Sequence, residues 1–455
     1  MSEPVGGLDR DAPTPRRVGL RAALVRGAAW TAAANAGASL LNVVVALALT
    51  RLLTPDDFGI QTAVVTVTAY FGSVVDTGLG SAVVQRDDLD QAELSSIFWS
   101  GLAASVVLYV IVLAAAPLVA RLFSSATLDV VLPVAALNVI VLGVAVVPAA
   151  LLRRRLAFGT VARAQAGGAL AGAAVAIGIA TAGGHYWALI GYGLAAVVVQ
   201  TVLVCRASGW VPSRTLDLSH LVKVRGYAGS MMTFLTVNYW SRNLDDILIG
   251  RFFGIAPLGF FSVAQRLVAA PLQLLTGSLA PLLHPTFAAM GDDVPRQRVA
   301  YLDLVRVTAL VTFPVAAALW VLAEPLVLIV AGAAWLPSVA VVRALALLAA
   351  IQPVNALCAS VFMARDAAHV MLRCAVVGAV AVVAGMVCGL PYGVAGVAWG
   401  YSIAYLLVAA PVSTLTAFRL LGGRFVELSR ALALPLLAGT AVLALHAVIT
   451  WWKGA

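Results

Sequence analysis

Arg51-Leu52-Leu53-Thr54-Pro55-Asp56-Asp57-Phe58-Gly59 returns two hundred residues later as Arg251-Phe252-Phe253-Gly254-Ile255-Ala256-Pro257-Leu258-Gly259. The arginine and the final glycine keep the same separation in both copies. The flanks agree as well: Leu47-Ala48-Leu49 precedes the first copy and Ile247-Leu248-Ile249 the second. Arg26-Gly27 and Arg225-Gly226 open the apolar stretches that lead into them, and a weaker echo pairs Gly191-Tyr192 with Gly400-Tyr401. A duplicated half explains this pattern, and it decides the architecture.

Working outward, those apolar stretches are long. The chain has 455 residues, of which 62% are hydrophobic and only 11% charged, and its mean hydropathy is +1.00. A soluble domain carries about 25% charged residues. A run of about 20 apolar residues crosses the hydrocarbon core as a helix. Thirteen such spans are expected, at 25–50, 58–85, 95–120, 127–151, 160–182, 185–206, 227–250, 257–285, 304–330, 337–363, 367–389, 391–418 and 429–452. The fold class is therefore all-α, a polytopic membrane protein. It has two six-helix bundles related by a pseudo-two-fold axis along the membrane normal, plus one extra C-terminal helix.

The corresponding division is a basic cytoplasmic tail (1–24), an N-terminal lobe (25–206), a cytoplasmic linker (207–226), a C-terminal lobe (227–418) and a loop with the extra helix (419–455). Six spans per repeat is an even number, so both halves enter from one side. Two such lobes face each other across a central cavity, the arrangement of a rocking transporter. Pro271, Pro281, Pro314 and Pro353 within spans allow bends.

Orientation follows from the cations. With the N-terminus cytoplasmic, 22 of the 29 Arg and Lys residues fall in the tail and the even-numbered loops, and four (Arg51, Arg121, Arg251 and Lys453) on the other face. The positive-inside rule then fixes the topology. Thirteen spans place the C-terminus in the periplasm of a bacterial inner membrane. The formal charge of +9 reflects arginine facing anionic lipid and calls for no nucleic acid.

Two longer blocks carry a family likeness. One is Arg51–Gly59, then Asp76-Thr77-Gly78-Leu79-Gly80 with Val84-Gln85-Arg86, then Glu93-Leu94-Ser95-Ser96-Ile97-Phe98-Trp99. The other runs Asn238-Tyr239-Trp240-Ser241-Arg242-Asn243-Leu244-Asp245-Asp246-Ile247-Leu248-Ile249-Gly250-Arg251 into Gly259-Phe260-Phe261-Ser262. Over residues 20–420 the chain resembles the Wzx-type polysaccharide flippases, nearest the colanic-acid exporter branch of the multidrug/oligosaccharidyl-lipid/polysaccharide exporter superfamily. The resemblance implies movement of an undecaprenyl-diphosphate-linked oligosaccharide from the cytoplasmic to the periplasmic leaflet. Antiport of protons or sodium is implied with it. A polysaccharide polymerase and glycosyltransferases are the partners such a protein would work beside, with membrane lipids around it.

Charges within spans are the candidate sites, because a bare charge at the bilayer centre costs about 2.5–3.5 kcal/mol on insertion scales and so faces protein or water. Asn238, Arg242, Asp245 and Asp246 recur at helical spacing, which puts them on one face of a continuous helix. Either Arg242 neutralises Asp245 or Asp246 within that helix, or it binds an anionic substrate through its planar fork. Arg266 and Arg343 extend the same groove or snorkel to the outer surface. Asn42 sits opposite Arg242 at the repeat offset, and Asn35 lies seven residues before it on the same wall. Asp245, Asp246, Asp76 and Glu324 are candidates for ion coupling. Asp76 lies beside Gly78 and Gly80, which favour close helix contact, and is otherwise a helix-end residue. Glu324 precedes Pro325 and is otherwise an interface residue.

Enzymes and cofactors find little support. Lys223 and Lys453 follow no glycine, so no P-loop exists. The histidines at 185, 220, 284, 369 and 446 form no metal-binding pair, and the four cysteines have no paired spacing. No catalytic residue, metal or cofactor is expected. The alternatives are a small-molecule or drug antiporter of the same superfamily, which should show a carboxylate-lined pocket without cations, and a membrane-embedded glycan enzyme.

Overall fold

The computed structural model describes residues 37, 43–75, 90–155, 157–214, 236, 238–289 and 293–454. The elements in chain order are α1 (43–49), α2 (Pro55–Val75), α3 (Gln91–Leu122), α4 (Thr127–Arg154), α5 (Phe158–Thr181) and α6 (Trp187–Ser208). The second half supplies α7 (Leu244–Phe253), α8 (Ile255–Ala289), α9 (Val294–Val321), the short α10 (Ala323–Val330), α11 (Ser338–Ala364) and α12 (Ala368–Gly389). Then follow α13 (Gly393–Ala404), a π-helical turn (Tyr405–Ala409), α14 (Ala410–Leu420) and α15 (Phe425–Gly454). Ten helical stretches among the described residues are long and apolar enough to cross a bilayer, one of them the 53-residue run Ala368–Leu420. That run doubles back: a 3₁₀ turn at Leu390–Tyr392 and Gly393 at φ +76° let α12 and α13 pack side by side.

The duplicated stretch turns out to be a helix start. The Thr54 backbone N–H and Oγ1 donate to Asp57 Oδ2 at 2.9 and 2.8 Å, and the Asp57 N–H donates back to Thr54 Oγ1 at 3.4 Å. This is a capping arrangement of the Thr-x-x-acid kind, with Pro55 at the first helical position, where its missing N–H costs nothing. Glu93 and Asp90 cap α3 in the same reciprocal way, at 2.7 and 3.2 Å. One turn on, Ser95 Oγ accepts from the Ser213 N–H at 2.9 Å, and the Trp99 indole donates to Ser213 O at 2.8 Å. The Glu93–Trp99 motif thus ties down the segment that leaves α6.

Packing divides by halves. In the first half α3 lies on α4, α5 on α6 and α4 on α6; in the second α8 and α9 lie on α11, and α12 on α13. Helix α15 packs along α9. Small residues permit the closest approaches: a Cβ on Gly385 of α12 would lie 2.4 Å from Gly400 O of α13, and one on Gly172 of α5 2.7 Å from Tyr192 O of α6. Some buried hydroxyls turn back on their own helices, as Thr62 does to Phe58 O and Ser105 to Gly101 O, both at 2.8 Å. The outer surface is apolar. Val106, Val107, Val110 and Ile111 of α3 and Leu434, Leu437 and Leu445 of α15 are exposed. In water such stripes would aggregate; hydrocarbon solvates them. The chain is an all-helical polytopic membrane protein.

Candidate functional site

The two halves meet chiefly where α2 crosses α8. The crossing is closest at Gly59 and Gly259: a Cβ on Gly59 would sit 1.9 Å from Ile255 O, and one on Gly259 1.9 Å from Pro55 O. Around it the end of the molecule that carries Arg51 is fastened. Arg51 Nε donates to Val330 O at 3.1 Å, and Nη2 to Leu328 O at 3.4 Å and to Ile329 O. These are the terminal carbonyls of α10, which no residue of that helix satisfies and which attract a cation. The Trp335 indole, wholly buried, donates to Thr50 O at 3.0 Å, and its ring stands edge-on to Phe58 at 5.2 Å.

Below this closure runs a polar seam between α2 and the second half. Arg266 Nη2 of α8 donates to Gln61 Oε1 of α2 at 2.8 Å, and its Cζ lies 5.3 Å from the centre of the Phe58 ring. Thr66 Oγ1 donates to Asp246 Oδ2 at 3.0 Å, and Tyr239 Oη to Thr66 O at 3.0 Å. Gln265 Nε2 donates to Asp245 Oδ2 at 2.9 Å. Both carboxylates are buried, yet Asp246 Oδ1 has no hydrogen-bond partner among the described residues. Arg266 also lines a cavity of about 210 Å³, with Val43, Leu49, Gln61, Leu189 and Tyr192 among its walls. That is below the roughly 300 Å³ at which drug-sized ligand pockets begin.

The seventh span departs from the continuous helix that its spacing predicts. Residues 238–242 are helical, Asn243 is a bend, and α7 restarts at Leu244. The bend is held by Asn243, whose Nδ2 and backbone N–H both donate to Tyr239 O, at 2.8 and 3.1 Å. Arg242 and Asn238 are therefore exposed while Asp245 and Asp246 are buried. Among the described residues Arg242 makes no ion pair with either carboxylate within 4.0 Å. The Asn243 side chain thus shares a carbonyl with the regular i→i−4 bond, while its backbone sits at φ −113° and ψ 17°.

Other expected site residues lie elsewhere. Arg343 Nη2 and Glu324 Oε2 stand 3.9 Å apart, half-exposed, with the Arg343 Cζ 5.9 Å above the Trp320 ring. Both belong to the Arg51 end rather than to the Arg266 cavity. Asn35, Asn42 and Asp76 fall outside the described residues. Gln61, Thr66 and Gln265 were not singled out from the sequence, and Tyr192 only as part of the repeat echo. Their signal was an amide, hydroxyl or phenol inside an apolar run. Among the described residues no group of three His, Cys, Asp or Glu side chains could hold a metal ion.

Residues 48–340 match the sequence family described as Polysaccharide biosynthesis protein. The Succinoglycan biosynthesis transport protein ExoT of Rhizobium meliloti is 25% identical over 312 residues, 69% of this chain and 63% of that protein. The match therefore spans less than two thirds of ExoT. The Lipopolysaccharide biosynthesis protein WzxC of Escherichia coli is 23% identical over 353 residues, 76% of this chain and 71% of that one. In fold the chain is similar to the lipid II flippase MurJ in an inward closed conformation, with a TM-score of 0.72, 13% identity and coverage of 93% and 99% of the two chains. It is also similar to an inward-facing multidrug resistance MATE family transporter of the MOP superfamily, at 0.65, 16%, 85% and 94%.

Proposed function

Since the chain belongs to the polysaccharide biosynthesis protein family, we propose that it flips an undecaprenyl-diphosphate-linked oligosaccharide from the cytoplasmic to the periplasmic leaflet, by ion-coupled alternating access. The observation that carries this reading is an arginine, Arg266, lining a cavity where the two halves meet, with Arg242 exposed on the preceding span. A diphosphate needs such donors, while its polyprenyl tail stays in lipid. The chain is a transporter rather than an enzyme.

The architecture that goes with this reading is two six-helix lobes related by a two-fold axis. The reciprocal contact of Gly59 with Ile255 and of Gly259 with Pro55 is what that axis requires locally. The Arg51 end faces the periplasm, following the cation distribution. Arg51, Trp335 and the two glycines then form the outer gate in its closed state, and the cavity around Arg266 is the ceiling beneath it. Asp246, with one oxygen unpartnered among the described residues, offers an acceptor that a proton or a sodium ion would satisfy, with Asp245 beside it. Replacing Arg242 with Ala should stall export and build up lipid-linked oligosaccharide at the inner leaflet; unchanged polymer output would contradict the role given to Arg242.

The second reading, a drug antiporter, draws on the same buried carboxylates. It predicts efflux of organic cations that survives Arg266→Gln.

A further inference from the structure

Each half sets an aromatic ring against the other at the Arg51 end. Trp335, in the turn between α10 and α11, donates its indole N–H to Thr50 O at 3.0 Å. Phe123, in the turn between α3 and α4, lies so close over Gly250 of α7 that an added Cβ would overlap its ring. Thr50 and Gly250 stand two hundred residues apart, so the two wedges press on equivalent points. Both rings are buried.

The helices that carry the wedges end differently. Helix α3 closes on itself: the Phe123, Ser124 and Ser125 N–H groups return to Val119, Arg121 and Ala120 O at 3.0, 3.2 and 2.9 Å. With Ser124 at φ +51° this is the Schellman pattern, and Arg121 in the last turn adds a cation for the helix end. Helix α10 leaves through Gly332 at φ +101° and ψ 176°. Its two returning N–H groups, of Ala331 and Gly332, both go to Val327 O, at 2.8 and 3.0 Å, and its last turn holds no basic residue. Leu328, Ile329 and Val330 O are left over, and these are the carbonyls that Arg51 reaches from the first half. Arg251, the repeat counterpart of Arg51, is exposed and makes no hydrogen bond or ion pair among the described residues. The end of α3 has no comparable need of it.

The two sides therefore respond differently to separation. At Arg51 water replaces each broken bond, for the guanidinium, the three carbonyls, Thr50 O and the indole N–H alike, so the net cost per bond is modest. Trp335 keeps the Phe260 ring of its own half, 6.0 Å away. At Gly250 the contact is ring against backbone, and parting it wets a phenyl ring that gains nothing from water. We propose that this gate opens on one side: Phe123 and Gly250 stay together as the hinge, while Arg51 and Trp335 let go as the latch. The inference rests on the closed outer gate and the alternating access proposed above, and not on the cargo.

Spin-label distances in the full chain, held in nanodiscs, test it. Cys205 and Cys388 are replaced by Ser, while Cys358 and Cys374 are buried. Leu52 and Leu336 take labels across the latch, and Leu122 and Phe252 across the hinge, all four being exposed. Double electron–electron resonance should show Arg51→Ala, alone and with Trp335→Phe, raising the longer-distance fraction of the latch pair about tenfold, the scale of lost charged hydrogen bonds. The hinge pair should keep its wild-type distance, which also shows that the variants are folded. If Arg51→Ala unfolds, Arg51→Gln is read by the same criteria. Arg251→Ala should change neither pair. If the hinge pair lengthens in an Arg51 variant, with the latch pair or without it, or lengthens in Arg251→Ala, the one-sided gate is overturned and alternating access is left standing. If neither pair lengthens in any variant, the closed outer gate and the alternating-access reading fall with the latch.

Discussion

Gly59 and Gly259 each press against the other's helix at the same relative point: a Cβ on Gly59 would meet Ile255 O at 1.9 Å, and one on Gly259 would meet Pro55 O at 1.9 Å. Each contact is the other displaced by two hundred residues. Backbone has to meet backbone there, so no side-chain rotation can relieve an added methyl group. Gly59→Ala or Gly259→Ala should therefore part α2 from α8 at this end. The cost should be about 1–3 kcal/mol, typical of overpacking, and chemical denaturation in detergent would read it. A spin-label pair across the Arg51 end should also show a longer distance.

Arg51 holds the same closure by another means, through the terminal carbonyls of α10. Arg51→Ala removes bonds from a charged donor worth about 1.5–3 kcal/mol, a population shift of roughly tenfold or more. A cysteine placed near Thr50 should react faster with a membrane-impermeant thiol reagent in this variant. Arg51→Lys should fall between, since one ammonium cannot span three carbonyls.

Gln61 has no role in the sequence reading, yet it is the partner that orients Arg266 across the seam. Gln61→Leu leaves the guanidinium buried and short of an acceptor, which costs about 1–3 kcal/mol or more for a charged group. We expect reduced export with normal membrane insertion, measured as surface polysaccharide per molecule of protein. Gln61→Glu should instead lock Arg266 in an ion pair and reduce export further.

Asp246→Asn keeps an acceptor for Thr66 but removes the charge that a coupling ion would meet. In proteoliposomes the variant should exchange substrate down its gradient while losing acceleration by an imposed ion gradient. Equal acceleration in variant and wild type would remove Asp246 from coupling.

Much of the fold was legible because a bilayer imposes simple arithmetic. Apolar runs of sufficient length become helices, and among the described residues ten helical stretches are long and apolar enough to cross a bilayer, although the seventh expected span is interrupted at Asn243 and the ninth is divided in two. The Arg51–Gly59 repeat was legible as a repeat, but not as a capping box followed by a glycine crossing, since neither is visible until the helices meet. The site was read less well. Spacing placed Arg242 with Asp245 and Asp246, but the helix is interrupted at Asn243 between them. Arg343 was read as extending the groove or snorkelling outward, and Glu324 as an ion-coupling or interface residue; the two stand 3.9 Å apart and half-exposed. Arg266 was found because it is charged. Gln61, Thr66 and Gln265 escaped because an uncharged polar residue in a span commonly satisfies itself on its own helix.

The central claim is transport of a lipid-linked glycan, and the direct measurement is flipping in proteoliposomes that contain the purified chain. Undecaprenyl-diphosphate oligosaccharide would be incorporated on both leaflets and scored by access of an external glycan-cleaving enzyme. Wild-type protein should expose the protected pool within minutes, and Arg242→Ala and Arg266→Gln should leave it protected. A pool that stayed protected with wild-type protein, in vesicles that nonetheless exported an organic cation, would contradict the account and establish the drug antiporter in its place.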